Sequence, residues 1–193
     1  RIAAEKGGEA SHEDSRGAEA DPPKGVPQTI GGGVSSASAW CLFHGGLGSA
    51  IGVAAAGFHI ACLSDSDQAA QCLARRVFPL SNQLRNVFEG AWTQLTAVEY
   101  LQAGAPCQGV APSGLLQGLD DPRMRLYLLV ARWFCTLGFM IGDFEMVVNI
   151  LDYDWGAIFR KIFWVFGYDA SCIVTNAYGH GVGQSRWRIH TTA

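Results

Sequence analysis

Ala39-Trp-Cys-Leu-Phe-His-Gly-Gly-Leu-Gly-Ser-Ala-Ile-Gly-Val-Ala-Ala-Ala-Gly57 decides the fold. A short apolar run enters a cluster of glycines, and small residues at helical spacing follow. The pattern predicts a strand over Ala39–Phe43, a tight turn, a helix near Ser49–Ala56 and a stop at Gly57. The alternation then repeats. His59–Ser64 reads as a strand, Asp67–Val77 as a helix and Tyr100–Ala103 as a short strand. Asp121 caps a further helix with Pro122 at its first position. Leu126, Leu129, Val130, Trp133, Phe134 and Leu137 give that helix one apolar face. Met146–Leu151, Cys172–Ala177 and Arg186–Thr191 read as strands, with a helix at Ile158–Phe166 after the first. Such alternation is the mark of an α/β fold with a mainly parallel sheet. Ligands of these sheets bind beyond the carboxyl ends of the strands. The glycine turn, Ser64-Asp65 and the turn at Pro106-Cys107-Gln108 all fall at those ends.

The rest of the composition bounds what such a fold can do. The chain has 193 residues, 49 % hydrophobic and 16 % charged, enough for one domain with a real core. Residues 1–38 are rich in Gly, Ala, Glu, Ser and Pro and cannot bury enough apolar surface to offset their ordering entropy. A disordered linker is expected there, and a folded domain over 39–193. A net charge of −3 is a poor match for a self-sufficient nucleic-acid binder. To act on DNA, such a chain would need a local basic patch, a further segment or a partner protein for its grip on phosphates. The six cysteines show no Cys-x-x-Cys spacing, so neither a zinc site nor a disulfide scaffold is indicated, and reduced thiols are the expectation. The N-terminus lacks the apolar core of a signal peptide, so secretion is not expected. Leu126–Gly142 is strongly apolar but carries Arg132 at helical spacing, and reads as a core helix rather than a membrane span. The first residue is Arg, which is expected of a fragment.

Four constellations carry chemistry, each beside a plainer reading. Phe43-His-Gly-Gly-Leu-Gly48 lets the backbone turn tightly and lets a nucleoside approach; alone it is also a flexible loop in a chain with 24 glycines. Asp65 can accept from ribose hydroxyls at the end of the second strand, whereas Asp67 is a helix cap. Cys107 sits in Gly104-Ala-Pro-Cys-Gln-Gly109 at a strand end; near helix N–H groups it is expected to have a depressed pKa and to serve as a nucleophile. The other five cysteines read as packing residues. Gln184-Ser-Arg-Trp-Arg188 can clamp a base carbonyl, or is simply a solvated basic strand edge.

Together these motifs resemble the DNA cytosine-5-methyltransferase family, from about Trp40 to the C-terminus. Phe43–Phe58 resembles the cofactor loop FxGxGGLxxGxxxAGF without a gap, and Gly104–Gly109 the catalytic GPPCQG run. Gly114, Gly118, Asp121, Arg123 and Leu126 match its continuation; Asn176-Ala177, Gly181-Val182, Gln184, Arg186 and Arg188 match NAxxxGVPQxRxR. The resemblance implies a Rossmann-like S-adenosylmethionine-dependent fold with helices on both faces, incomplete at its C-terminus because a target-recognition region and a final segment are missing. It implies Cys107 as nucleophile, with Arg188 and Arg186 steadying the base and the loop. Phe43, Gly45, Gly48, Asp65 and Pro106 would hold S-adenosyl-L-methionine, and Gln108, Asn149 and Gln184 the substrate, with no metal. DNA is the implied partner, and transfer RNA is the substrate of one branch of the family. The implied location is the nucleus of a eukaryote, otherwise the cytoplasm.

Departures fall on working positions. Val148 stands where the family's ring-protonating glutamate belongs. Glu145 lies three residues away, ~10 Å along a strand and facing the other side, so it is not expected to substitute. Leu47 replaces a loop glycine, Ser66 an apolar residue against the adenine, Ala91 an acid at the adenine amino group, and Gly183 a proline. These changes leave a second reading, a catalytically silent relative that binds cofactor or a partner and regulates. A nicotinamide-dependent oxidoreductase is a third, but it leaves Pro106-Cys107-Gln108 unexplained.

Overall fold

The computed structural model describes residues 37–88, 98–111, 114 and 117–193. All but the last two residues of the expected linker, and Ala91, lie outside the described residues. In chain order the elements are β1 (Ser38–Leu42), α1 (Gly48–Ala55), β2 (His59–Ser64), α2 (Gln68–Val77), β3 (Asn82–Leu84) and β4 (Tyr100–Ala103). They continue with α3 (Arg125–Leu137), β5 (Ile141–Val147), α4 (Trp155–Val165), β6 (Ser171–Asn176) and β7 (Trp187–Thr192). The strands form one sheet in the order β3-β2-β1-β4-β5-β7-β6. The first five are parallel, and β7 runs antiparallel to both β5 and β6. The order reverses between β1 and β4, which opens a crevice where ligands of such sheets bind.

Period-two alternation decides which side chains meet which layer. Trp40, Leu42, Leu101, Ala103, Phe144, Met146 and Ile189 form one core with Tyr127, Val130, Ala131 and Phe134 of α3 and Phe159 and Phe163 of α4. On the opposite face Ala39, Cys41, Ile60 and Leu63 pack with Leu47, Ala50 and Val53 at and within α1. Helices therefore cover both faces, but unequally. The α1 side carries the polar row Tyr100, Gln102, Asp143, Glu145 and His190, which lines a cavity.

β2 and α2 match their expected limits, with Asp67 capping α2 through Ala70 N at 2.8 Å. Two expectations need correction, and one strand has no counterpart among them. The strand expected at Met146–Leu151 is β5, ending at Val147, and Val148–Asp152 is a 3-10 turn. Asp143 and Glu145 alternate with buried Gly142, Phe144 and Met146, so charges on one face disguise a strand as a loop. The buried face of α3 is Tyr127, Val130, Ala131 and Phe134, whereas Leu126, Leu129, Trp133 and Leu137 are half-buried. β3, with only Leu84 large and apolar among its three residues, carries no sequence signal. Among the described residues no helix is long and apolar enough to cross a membrane.

Candidate active site

The glycine loop is wound by three left-handed residues, Phe43 (φ 56), Gly45 (φ 49) and Leu47 (φ 66). Leu47 occupies the position where the resemblance expects glycine, and the left-handed backbone is the reason. A non-glycine residue there costs roughly 1–2 kcal/mol, which the complete burial of the Leu47 side chain offsets. Asp65 secures the loop to β2: its Oδ2 accepts from Gly45 N (2.8 Å) and its Oδ1 from Asp67 N (2.9 Å). Each carboxylate oxygen has a second lone pair, so Asp65 retains capacity for hydroxyl donors. The N-terminus of α1 has no side-chain cap and no acid in its first turn, leaving N–H groups for an anion.

The Cys107 turn is built by close packing. Val110 N and Ala111 N donate to Cys107 O (3.0 and 2.8 Å), and Gly118 N donates to Gly109 O (2.8 Å). A Cβ on Gly109 would lie 2.7 Å from Asp121 Cβ, and one on Gly114 would overlap the Gln108 carbonyl. Both glycines are therefore demanded by the folded-back loop. Asp121, 1 % exposed, accepts from Arg123 N (2.9 Å) and from the Arg123 guanidinium through Nε and Nη2 (2.8 and 2.5 Å). The side-chain bond from Arg123 holds the Asp121 carboxyl down to about 2, so this anchor outlasts moderate acid. The buried Tyr127 hydroxyl lies 2.8 Å from Ala105 O and 2.6 Å from Glu145 O. One proton serves two carbonyls there, and it ties the cysteine loop to β5.

Asn176 organises the arginines. Its Oδ1 accepts from Tyr178 N (3.1 Å) and Arg186 N (3.0 Å), and its Nδ2 donates to Ser185 Oγ (3.2 Å). The chain from β6 is thereby closed onto the start of β7. Arg188 pairs with Val147 across β5 and β7, placing its guanidinium Nε 2.5 Å from Glu145 Oε1, and Arg186 approaches the same oxygen at 3.9 Å. Both arginines thus meet at Glu145. In antiparallel register it lies diagonal to Arg188 on the same face, within the electrostatic reach of Cys107. Val148 lies beyond the strand, half-buried in the 3-10 turn.

Cys107 is half-buried, and burial pushes its thiol pKa up, against the depression expected from the sequence. Arg188 opposes that rise, Glu145 reinforces it and Arg186 opposes it more weakly. The thiolate fraction therefore grows only as pH rises toward the alkaline range, and the neighbouring charges decide how much. Replacing Arg188 by Gln is expected to slow iodoacetamide alkylation of Cys107 at pH 8 by ~3–10-fold, and Glu145→Gln to speed it by a similar factor. Peptide mapping must follow the adduct, because Cys72 is exposed as well. Equal rates in all three proteins would remove the charges from any role at the sulfur.

The cavity beside this cluster measures about 720 Å³. Of the expected residues, Phe43, Gly45, Gly48 and Arg186 line it, and Glu145 connects it to Arg188. Asp65 reaches it through Gly45, while Pro106 and Cys107 are half-buried in the turn after β4 and off its wall. Gln108 and Gln184 are exposed on loops and Asn149 is half-buried in the 3-10 turn after β5; none of the three lines the cavity. Ser66 is exposed. Sequence reasoning missed His44, Gln102, Asp143 and His190 on the wall. His190 Nδ1 lies 3.2 Å from both Asp143 oxygens, and that bond raises its pKa against the effect of burial. The only signal for Asp143 and His190 was alternation, and it becomes legible once β5 and β7 are placed side by side.

The same arrangement of elements recurs in known proteins. Type II methyltransferase M.NgoPII of Neisseria gonorrhoeae is 25 % identical over 155 residues, 77 % of this chain and 45 % of that protein. A candidate DNA modification methyltransferase from an E. coli prophage superposes with a TM-score of 0.64 at 26 % identity, over 81 % of this chain and 46 % of its own. Spodoptera frugiperda DNMT2 shares the fold with a TM-score of 0.64 at 20 % identity, over 81 % and 49 %. The chain thus spans about half the length of the relatives it matches. The sequence model of C-5 cytosine-specific DNA methylases matches residues 40–193, from within β1 to Ala193, and the chain belongs to that family.

Proposed function

We propose that this chain is the catalytic core for transfer of a methyl group from S-adenosylmethionine to carbon 5 of cytosine in DNA, through a covalent bond to Cys107. The observation that carries the proposal is the convergence of Cys107, Glu145, Arg188 and Arg186 beside the glycine-loop cavity. The residues present fit the cofactor. Asp65 has free acceptor capacity beside the loop, the α1 N-terminus is uncapped, and two buried polar atoms on the cavity wall have no protein partner. When bound, S-adenosylmethionine supplies an electrophilic methyl group.

Cys107 loses its proton and its sulfur adds to C6, forming the S–C6 bond and moving electron density toward C5. Glu145, once it has taken up a proton from water, protonates N3 as that density develops, and Arg188 holds both Glu145 and the base. After C5 is methylated, water takes its proton and N3 returns its own to Glu145, the S–C6 bond breaks and the 5,6 double bond returns with Cys107 released as the thiolate. Acid catalysis is assigned to Glu145 rather than to position 148, which carries a hydrocarbon. Given a net charge of −3, the grip on DNA phosphates comes from a local basic patch, a further segment or a partner protein.

Incubation with duplex DNA containing 5-fluorocytosine and S-adenosylmethionine tests this reading, because fluorine at C5 blocks release of the sulfur. A covalent adduct is expected on denaturing gels, and is expected to vanish in Cys107→Ser. No adduct, with S-adenosylhomocysteine binding intact, would make the chain a silent binding relative instead.

A further inference from the structure

β5 and β7 present a ladder of charges to the cavity, and its pairs are set one step out of line. Glu145 lies directly opposite His190 in the antiparallel register, Val147 opposite Arg188 and Asp143 opposite Thr192. Directly opposite side chains are the nearest on a sheet face, so register alone offers His190 to Glu145. The structure pairs them otherwise. His190 Nδ1 lies 3.2 Å from both oxygens of Asp143, one diagonal step away, and Glu145 turns to Arg188 by the same step. Both arginine contacts of Glu145 fall on Oε1, which leaves Oε2 open. That oxygen sits beside Gly104, three residues before Cys107, where a Cβ would stand only 3.1 Å from it.

The charges that face His190 are Asp143 and Glu145 from β5 and Arg188 from β7. Tyr100 of β4, His44 of the glycine loop and Arg186 share the cavity wall, and the β6 residue opposite His190, Ile173, is uncharged. The bond to Asp143 raises the pKa of His190, so the ring stays cationic to higher pH than a free imidazole. A cationic imidazole directly opposite a free carboxylate oxygen would claim it, because hydrogen bonds between ionised groups are the strong ones. We propose that Asp143 is a positioning residue for methyl transfer: by holding His190 it keeps that imidazole off Glu145 and leaves Oε2 open to the base. The proposal rests on the reading of Glu145 as the acid, and it assigns work to two residues outside every motif quoted above.

Asp143→Asn tests it, because the amide keeps the size of the carboxyl and removes its charge. Followed by NMR titration, the His190 ring is expected to keep a pKa above the ordinary 6.5 in that variant, since Glu145 takes over as its anion. In Asp143→Asn/Glu145→Gln it is expected to fall below that value, because burial and Arg188 then act unopposed. A fall in Asp143→Asn alone overturns the proposal, since His190 would then not reach Glu145. In single turnover, Asp143→Asn is expected to slow methyl transfer by ~10–100-fold, the bias that a hydrogen bond between charged groups imposes. The loss is expected to shrink as pH rises through the His190 pKa and the imidazole turns neutral. Adding His190→Leu is expected to restore most of the rate, which a purely structural role of Asp143 would not allow. A double variant as slow as the single one overturns the proposal. Should that double variant fail to fold, a loss equal at every pH in Asp143→Asn overturns it instead. A wild-type chain that transfers no methyl group, with the exchange of partners seen by NMR, sinks the methyl-transfer reading and not the pairing.

Discussion

Glutamine at position 145 is expected to slow methyl transfer by about 10²–10⁴-fold, the ordinary range for loss of a positioned general acid. The amide matches the carboxyl in size and can still donate a hydrogen bond, but it cannot deliver a proton as charge builds on the ring. The replacement also removes the negative charge that offsets Arg188, whose 2.5 Å contact becomes a hydrogen bond to a neutral amide oxygen, so thiol alkylation should accelerate while turnover falls. That opposite movement separates a chemical role from a general loss of structure. Val148→Glu supplies the control, because position 148 follows β5 in the 3-10 turn, outside the register that brings Glu145 to Arg188. No gain in rate is expected from it. Unchanged turnover in Glu145→Gln combined with acceleration in Val148→Glu would return the acid's position to 148. Single-turnover assays on hemimethylated and unmethylated duplexes measure both.

The largest stability effect is expected at Phe134. Its ring is fully buried and meets Phe139 (centroids 6.0 Å apart), Phe144 (5.7 Å), Phe163 (5.7 Å) and Tyr168 (4.7 Å). It joins α3 to the sheet through Phe144 and to α4 through Phe163. Phe134→Ala removes those contacts and leaves a cavity that rings on four sides cannot fill by small shifts. A loss of about 3–5 kcal/mol is expected, a large part of the ~5–15 kcal/mol that holds a typical domain. Urea unfolding would show a lower midpoint at unchanged slope. Leu126→Ala, at a half-buried position on the same helix, is expected to cost less. A smaller loss at Phe134 than at Leu126 would contradict this account of the core.

The boundaries of β2 and α2, the cap at Asp121 and the placing of Cys107 after a strand were legible because each rests on a local rule. Hydrophobic period, a side chain bonding its own helix terminus, and glycine at turns all act within a few residues. The family motifs added the order of the working parts, although Leu47 shows that a motif glycine can be replaced where burial offsets the strain. By contrast, β5 was misread, because Asp143 and Glu145 look like loop residues until β7 lies alongside.

What the linear chain determined, then, was the alternation of strands and helices and the place of Cys107 in the turn after β4. Only tertiary structure decided which carboxylate's charge reaches the sulfur and whether the thiol's pKa rises or falls. It also decided which polar atoms line the cavity without partners. The physical reason is range. Backbone preference and capping are settled between neighbours in sequence, whereas charge, burial and hydrogen-bond partnership depend on residues such as Cys107, Glu145 and Arg188. Those three are far apart along the chain and meet only when β4, β5 and β7 assemble into one sheet.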